Sequence, residues 1–283
     1  MVHASRPPVI DTHNHFWLYG RSDLYWMTPD LTLLQRDFTP ADLRPEMVAV
    51  GVDRSVIVQA ARSRWDHEWW FRLTEEYDFV SAVVGWVPLE SPEVGALLDE
   101  YARHPAFRGV RATAENEPDP DWLARPEVRR GIREVARRGL TLDLLVRTPH
   151  LGHIPRLAEE NPALMMVVDH LAKPPIASGD LDLWARRMEA LVPYPNIWGK
   201  VSGLLTEAGP QPTVEKIRPV VQFAREKFGL ERLMWGSDWP VCLLAADYRT
   251  TFQTVAAALE PLRADERAAI FGLNALRFYR LQP

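Results

Sequence analysis

The sequence predicts an α/β fold, a single (β/α)8 (TIM) barrel spanning residues 1–283. Three observations point there. Short apolar runs alternate along the chain with charged stretches at helical spacing. The runs number eight, the full complement of a closed barrel. The first run ends in His13-Asn14-His15-Phe16-Trp17, where an open, dinucleotide-binding sheet would usually carry a glycine-rich turn.

The runs fall at residues 9–15, 55–59, 80–87, 107–111, 141–146, 164–170, 196–202 and 232–237. Between them, residues 68–77, 93–103, 127–138, 151–160, 181–191, 214–228 and 248–259 mix charge and apolar residues as helices do. Strands alternating with helices mean βαβ units and a parallel sheet. Nearly continuous apolar strands mean a sheet covered on both faces. Residues 265–280 read as a terminal helix packed under the barrel. Residues 16–39 form a long first loop carrying Trp17, Tyr25 and Trp26, and long loops inside compact domains are usually functional.

Composition removes several classes of function. Net charge is −5, and no long Lys/Arg block offers phosphate contacts, so no nucleic-acid partner is expected. The basic stretch 125–138 is interleaved with Glu127 and Glu134, as a solvated helix face would be. The single cysteine, Cys242, cannot form an internal disulfide and is read as core packing. Residues 1–8 show no secretory apolar segment, and the longest apolar run, near 80–89, is too short to span a bilayer. A cytoplasmic protein with no membrane partner and a small-molecule ligand is the expectation. No organic cofactor is expected, and the sequence carries no signal for oligomeric state.

Reactive side chains of a β/α barrel sit where its strands end. The first strand offers His13 and His15, two residues apart and therefore on one side. The second offers Gln59, the fourth Arg111, the sixth Asp169 and His170, the seventh Lys200 and Ser202, the eighth Asp238. Singly, each has a plain structural reading: a hydrogen-bonded histidine, or an aspartate capping the turn before Trp239-Pro240. Three histidines, a carboxylate and two cations at matching strand ends make a reaction centre the better reading. Trp86 and Trp239 adjoin strand ends and are candidates to stack on a substrate, as are Trp17 and Trp26. Trp65, Trp69, Trp70, Trp122 and Trp184 fall on helices and are read as packing. His67-Glu68 begins like a zincin helix but lacks the second histidine, and there is no Gly-x-Ser-x-Gly elbow. His3 and His104 are placed at the surface, and His150 and His153 at the surface where a helix starts.

Four segments together resemble the amidohydrolase superfamily, in particular its sugar-lactonase and dicarboxylate-lactonase branch. They are Asp11-Thr12-His13-Asn14-His15-Phe16-Trp17, Asp169-His170-Leu171-Ala172-Lys173-Pro174, Lys200-Val201-Ser202-Gly203-Leu204-Leu205-Thr206-Glu207-Ala208, and Trp235-Gly236-Ser237-Asp238-Trp239-Pro240-Val241. They occur in the family's order over residues 9–241. The resemblance implies that Asp238 takes a proton from the attacking water. It also implies that His13, His15 and His170 are metal ligands, or polarise the carbonyl directly as in metal-free members. Members with two metals bring a bridging Lys or Glu from strand four and a His from strand five. Here strand four ends in Arg111 and strand five lacks histidine, so a binuclear centre is not expected. The remaining alternatives are one divalent ion, zinc, held by His13, His15, His170 and Asp238, or no metal.

The function implied is hydrolysis of a small lactone, an aldonolactone first and a dicarboxylate lactone second. Arg111, Lys200, Gln59, Trp86 and Trp239 are expected to bind the substrate. Arg111 has a rival reading, a salt bridge with a neighbouring acid such as Glu115. A metal-dependent decarboxylase or lactone isomerase on the same barrel, and a non-catalytic binding barrel, are the alternatives.

Overall fold

The computed structural model describes residues 6–282. His3, expected at the surface, lies outside the described residues. Eight parallel strands run in chain order: β1 (Ile10–Asn14), β2 (Arg54–Val58), β3 (Val80–Gly85), β4 (Phe107–Ala112), β5 (Thr141–Leu144), β6 (Met166–Val168), β7 (Ile197–Val201) and β8 (Leu233–Trp235). The ring closes where Asn14 bridges Trp239 just beyond β8, with the His15 amide donating to the Trp239 carbonyl at 2.7 Å.

Around the strands lie α1 (Pro40–Val50), α2 (Arg64–Glu76), α3 (Val94–Tyr101), α4 (Pro126–Arg137), α5 (Ile154–Glu160) and α6 (Asp182–Glu189). The short α7 (Leu204–Glu207) follows β7, and then come α8 (Val214–Phe228), α9 (Tyr248–Leu259), α10 (Ala264–Ala268) and α11 (Asn274–Tyr279). The helices start where the chain supplies caps. Ser63 accepts from the Asp66 amide at α2, and Asp247 from the Thr250 amide at α9. α4 shows the patterning plainly: Val128, Gly131, Ile132 and Val135 are buried while its arginines face out.

Strand alternation builds two cores. Ile57 and Val83 point outward and pack under the helices. Val56, Val58, Ala82, Val84, Val167 and Met234 point inward. There they meet Ala275, Phe278 and Tyr279 of α11, which plugs the N-terminal end of the barrel as the sequence suggests. The parity of β1 is broken by one extra residue between Asp11 and Asn14 relative to β2. Ile10 belongs to the inner core, and period two alone would send His13 and His15 outward from it. The bulge turns both histidines inward. The Asp11 carboxylate holds it, accepting from the His13 and Ser237 amides at 3.1 and 2.8 Å and from the Tyr248 hydroxyl at 3.1 Å. Among the described residues, no helix is long and apolar enough to cross a membrane.

Candidate active site

At the C-terminal end of the strands lies a cavity of about 240 Å³. His15, Gln59, Arg111, His170 and Asp238 form its floor. Trp26 and Tyr25 of the first loop, with Leu145 and Val241, form its walls. Glu115, Asn116 and Lys173 stand at its rim.

The floor centres on Asp238, whose Oδ1 lies 3.2 Å from His15 Nε2, 3.7 Å from His13 Nε2 and 3.8 Å from His170 Nε2. Burial works to raise the Asp238 carboxyl. The facing His170, the hydrogen bond to His15 and the nearby His13 outweigh burial and hold it well below the usual carboxylate range. Burial pushes His13 well below its ordinary value and His170 down to about 4, so both rings are neutral at pH 7. The site is an ionised carboxylate with two uncharged imidazoles, His13 and His170, beside it.

The second nitrogens fix how the rings face. His15 Nδ1 meets the Val58 carbonyl at 2.8 Å, which turns Nε2 toward Asp238 Oδ1 at 3.2 Å. The three imidazole nitrogens lie 3.2–3.8 Å from Asp238 Oδ1, close to the ligand–ligand spacing of a tetrahedral zinc site, about 3.3 Å for bonds near 2 Å. His13, His15 and Asp238 form one cluster with metal-ligating chemistry, and His13, Asp169 and His170 another. The donor set therefore fits a divalent ion.

His170 reaches the floor on unusual backbone. His170, Leu171, Ala172 and Lys173 all have positive φ, between 48° and 62°. A left-handed conformation costs roughly 1–2 kcal/mol per non-glycine residue. Burial of Leu171 and Ala172 and the Trp184 indole donating to the Leu171 carbonyl at 2.7 Å hold the segment in place. His170 Nδ1 meets the Ser202 hydroxyl at 2.8 Å. Gly203 follows because a Cβ there would lie 2.7 Å from His170 Nδ1 and 3.2 Å from Asp238 Oδ2.

Below the floor is a layer of buried charge. Lys200 Nζ lies 2.5 Å from Asp143 Oδ2, 3.2 Å from Asp169 Oδ1 and 3.2 Å from His13 Nδ1. The Tyr279 hydroxyl donates to Asp143 Oδ2 at 2.9 Å, so the plug at the barrel bottom touches the same layer. Burial raises the Asp143 carboxyl to about 6 against the pull of Lys200. Asp169 is also raised by burial, but Lys200, His13 and Arg111 together drive it well below its ordinary value.

Several residues expected at the substrate lie elsewhere. Lys200 is fully buried and does not line the cavity; its ammonium is held by the two carboxylates one layer down. Trp86 follows β3 and does not line the cavity; its ring lies beside Arg62, and its amide donates to His67 Nε2. Trp239 is buried against Phe16 and Phe38. Trp17 is likewise core, whereas Trp26 lines the cavity, pinned by its indole N–H to the Ala60 carbonyl at 2.7 Å. Arg111 does line the cavity, but protein groups engage its guanidinium. Nε donates to Asp169 at 2.9 Å, Nη1 to the Gln59 carbonyl at 3.0 Å, and Nη2 approaches His13 and His170 Nε2 at 3.4 and 3.5 Å. Its acid partner is Asp169, and Glu115 pairs instead with Lys173 and Arg147. Gln59 is fully buried, and neither amide atom has a hydrogen-bond partner.

The remaining histidines lie outside the cavity. His150 is buried, against the surface expectation, its ring accepting the Arg147 amide, and His153 pairs with Asp121. His104 is half-buried, stacked on Phe71. Tyr25, Asn116 and Lys173 were not singled out as ligand contacts by sequence reasoning. Lys173 carried a signal, three residues beyond His170 in the same motif.

Residues 10–281 match the sequence profile of the amidohydrolase family. The chain is 40% identical over 276 residues to an L-fucono-1,5-lactonase of Burkholderia ambifaria, covering 96% of this chain and 95% of the relative. An L-fucono-1,5-lactonase of Burkholderia multivorans is 33% identical over 284 residues, covering 96% of each chain. A crystal structure of an amidohydrolase from Burkholderia multivorans with bound zinc superimposes with a TM-score of 0.92 and 33% identity, over 97% of this chain and 100% of that one. With eight parallel strands, a paired-histidine first strand and an aspartate after the eighth, the chain belongs to the amidohydrolase family.

Proposed function

We propose that this protein hydrolyses a neutral sugar lactone to the open hydroxy acid. The observation that carries the reading is Asp238, an ionised carboxylate at the cavity floor with three imidazole nitrogens within 3.8 Å of one oxygen. Two relatives covering nearly the whole chain are L-fucono-1,5-lactonases, which supports a six-membered lactone of a deoxy sugar acid. The cavity, about 240 Å³, falls below the range of roughly 300–1,000 Å³ common for drug-sized ligands and suits a single ring.

The chain's residues divide the reaction between them. Asp238 accepts a proton from water as the water oxygen bonds to the lactone carbonyl carbon. The carbonyl oxygen becomes an oxyanion, with Arg111 Nη2 as the cationic donor beside the floor. The bond from that carbon to the ring oxygen then breaks, and Asp238 returns the proton to the departing oxygen, leaving an alcohol and an acid. Gln59 offers the one floor side chain with an unused donor and an unused acceptor, suited to a substrate hydroxyl. His13, His15, His170 and Asp238 are the residues that would hold a divalent ion, zinc by its donor set, and such an ion supplies Lewis-acid polarisation of the carbonyl.

The test is a pH-indicator screen of sugar lactones with the purified protein, with and without chelator. Asp238→Asn should keep the fold and lose on the order of 10²-fold or more in kcat. Near-normal turnover in the folded Asn variant would sink the assignment. Carbon dioxide release, or a rearranged lactone in place of an acid, would move the protein to a different reaction of the same barrel.

A further inference from the structure

The rim of the cavity carries a feature that the reaction itself does not use. Residues 113–117 follow β4 across the mouth, pinned by the Glu115 amide donating to the Leu145 carbonyl at 3.0 Å. The Glu115 side chain is only 13% exposed, and it holds two cations. Oε2 lies 2.6 Å from Lys173 Nζ, and Oε1 lies 2.7 Å from Arg147 Nε. Arg147 also reaches Glu207 at 3.4 Å. Lys173, Arg147, Glu115 and Glu207 thus sum to zero charge. Burial favours a neutral Glu115, but Lys173 and Arg147 prevail and hold its carboxyl below the usual range, so the acid is ionised at pH 7.

We infer that Glu115 determines the substrate class of this site, occupying the Lys173 ammonium and so excluding lactones that carry a carboxylate. This rests on the lactone reading above and adds the residue that sets its selectivity. Lys173 is the rim cation best placed to take an anionic group. It lines the cavity, it is 23% exposed, and the left-handed segment that places His170 also fixes its backbone. Among the described residues Glu115 is its ion-pair partner. A substrate carboxylate at Lys173 would therefore lie beside the negative charge of Glu115, 2.6 Å from the same ammonium. A substrate hydroxyl meets no such barrier, since it can donate to Glu115 or accept from a remaining Lys173 N–H. Arg111 offers no substitute at the rim, because Asp169 and the Gln59 carbonyl engage Nε and Nη1, and Nη2 lies at the floor beside His13 and His170. The exclusion works by repulsion, which discriminates between ligands of the same shape.

The consequence is a gain of activity on removing one charge. Glu115→Gln keeps the side-chain shape, takes the rim to a net +1 and leaves Lys173 without its anion. The full-length protein is assayed on two lactones with the same ring, one ending in a neutral group and one in a carboxylate. Wild type should strongly prefer the neutral lactone. In Glu115→Gln the ratio of kcat/KM, carboxylate over neutral, should rise about ten- to a hundredfold, the range for a hydrogen bond to a charged group. Adding Lys173→Met should abolish the rise, and salt should shrink it. Calorimetric binding of the open-chain dicarboxylate gives a readout independent of turnover, and Glu115→Gln should bind it at least tenfold tighter than wild type. Glu115→Ser serves as the second variant if the Gln protein does not fold. An unchanged ratio and unchanged dicarboxylate affinity in a folded variant overturn the inference, and so does a rise that survives loss of Lys173. If wild type opens neither lactone, the lactone reading fails, while the dicarboxylate titration still decides the role of Glu115.

Discussion

Lys200→Met probes the buried charge layer directly. The ammonium is fully buried and contacts Asp143, Asp169 and His13 at 2.5–3.2 Å. Methionine has nearly the same length and no charge, so the variant removes the cation and leaves both carboxylates in place. Breaking a buried pair this way costs about 3–5 kcal/mol. The lower end applies here for two reasons. Asp169 keeps Arg111 at 2.9 Å, and Asp143, already raised to about 6, can take up a proton when its partner is gone. At about 2.1 cal/mol/K per residue, 283 residues unfold with an entropy near 0.6 kcal/mol/K, so a loss of about 3 kcal/mol lowers Tm by about 5 °C. Thermal unfolding followed by circular dichroism measures it. Kinetics on a sugar lactone add a second readout. His13 loses a partner at Nδ1, so kcat should fall, while KM should stay within about twofold because Lys200 does not reach the cavity. A Tm drop under 2 °C would refute the neutralising role. A raised KM with unchanged kcat would return Lys200 to the substrate, where the sequence had placed it.

Three further outcomes follow from particular contacts. Gln59→Leu removes the unused donor and acceptor at the floor and should raise KM on the order of tenfold while changing kcat less; an unaltered KM would take Gln59 out of substrate recognition. Burial lowers His67 from 6.5 to about 4, and its neutral ring accepts the Trp86 amide. A depressed histidine contributes stability that is present above pH 6.5 and lost as pH falls toward 4, worth about 3 kcal/mol over that window. His67→Gln should therefore flatten the dependence of Tm on pH between 6.5 and 4, and an equally steep profile in the variant would locate the effect in another group. Elemental analysis of protein purified without added metal should find one equivalent or less, since Arg111 and Lys200 supply the positive charge beside Asp169 and His170; two firmly held equivalents per chain would contradict that.

How far the sequence could be read depended on what each residue's position encodes. The eight strands were legible because a doubly covered strand must be apolar along its length, as Val56–Val58 and Val83–Val84 are. The convergence of His13, His15, His170 and Asp238 was legible because a barrel gathers its strand-end side chains at one face. Depth was not. Lys200 lies one residue short of the end of β7, and alternation says inward without saying whether a side chain meets the cavity or the layer beneath it. The β1 bulge was invisible too, since nothing in Asp11-Thr12-His13 announces an extra residue against β2. Trp86 and Trp239 do not line the cavity, because adjacency to a strand end fixes a residue's place and leaves its direction open. The rim came from loops, where no periodicity exists to be read. Glu115 stood out only as an acid near Arg111, and its actual partners are 32 and 58 residues further along the chain, at Arg147 and Lys173.

The left-handed run from His170 to Lys173 has a consequence for how substrates are measured. One rigid segment carries both a side chain at the reacting end of the cavity and a side chain at its mouth, three residues later. The chain therefore holds a fixed gauge between the bond to be broken and the far substituent of the ring. The left-handed turn, closed by the Lys173 amide donating to the His170 carbonyl at 2.9 Å, brings the third residue back toward the face of the first, where extended strand would carry it about 10 Å onward. Buried side chains and the Trp184 indole keep it from relaxing. A lactone one carbon longer or shorter would present its end group off the mark, even with its carbonyl correctly seated. Selection for a new ring size would then have to rebuild this segment, whereas selection for a new end group needs only the side chains it carries.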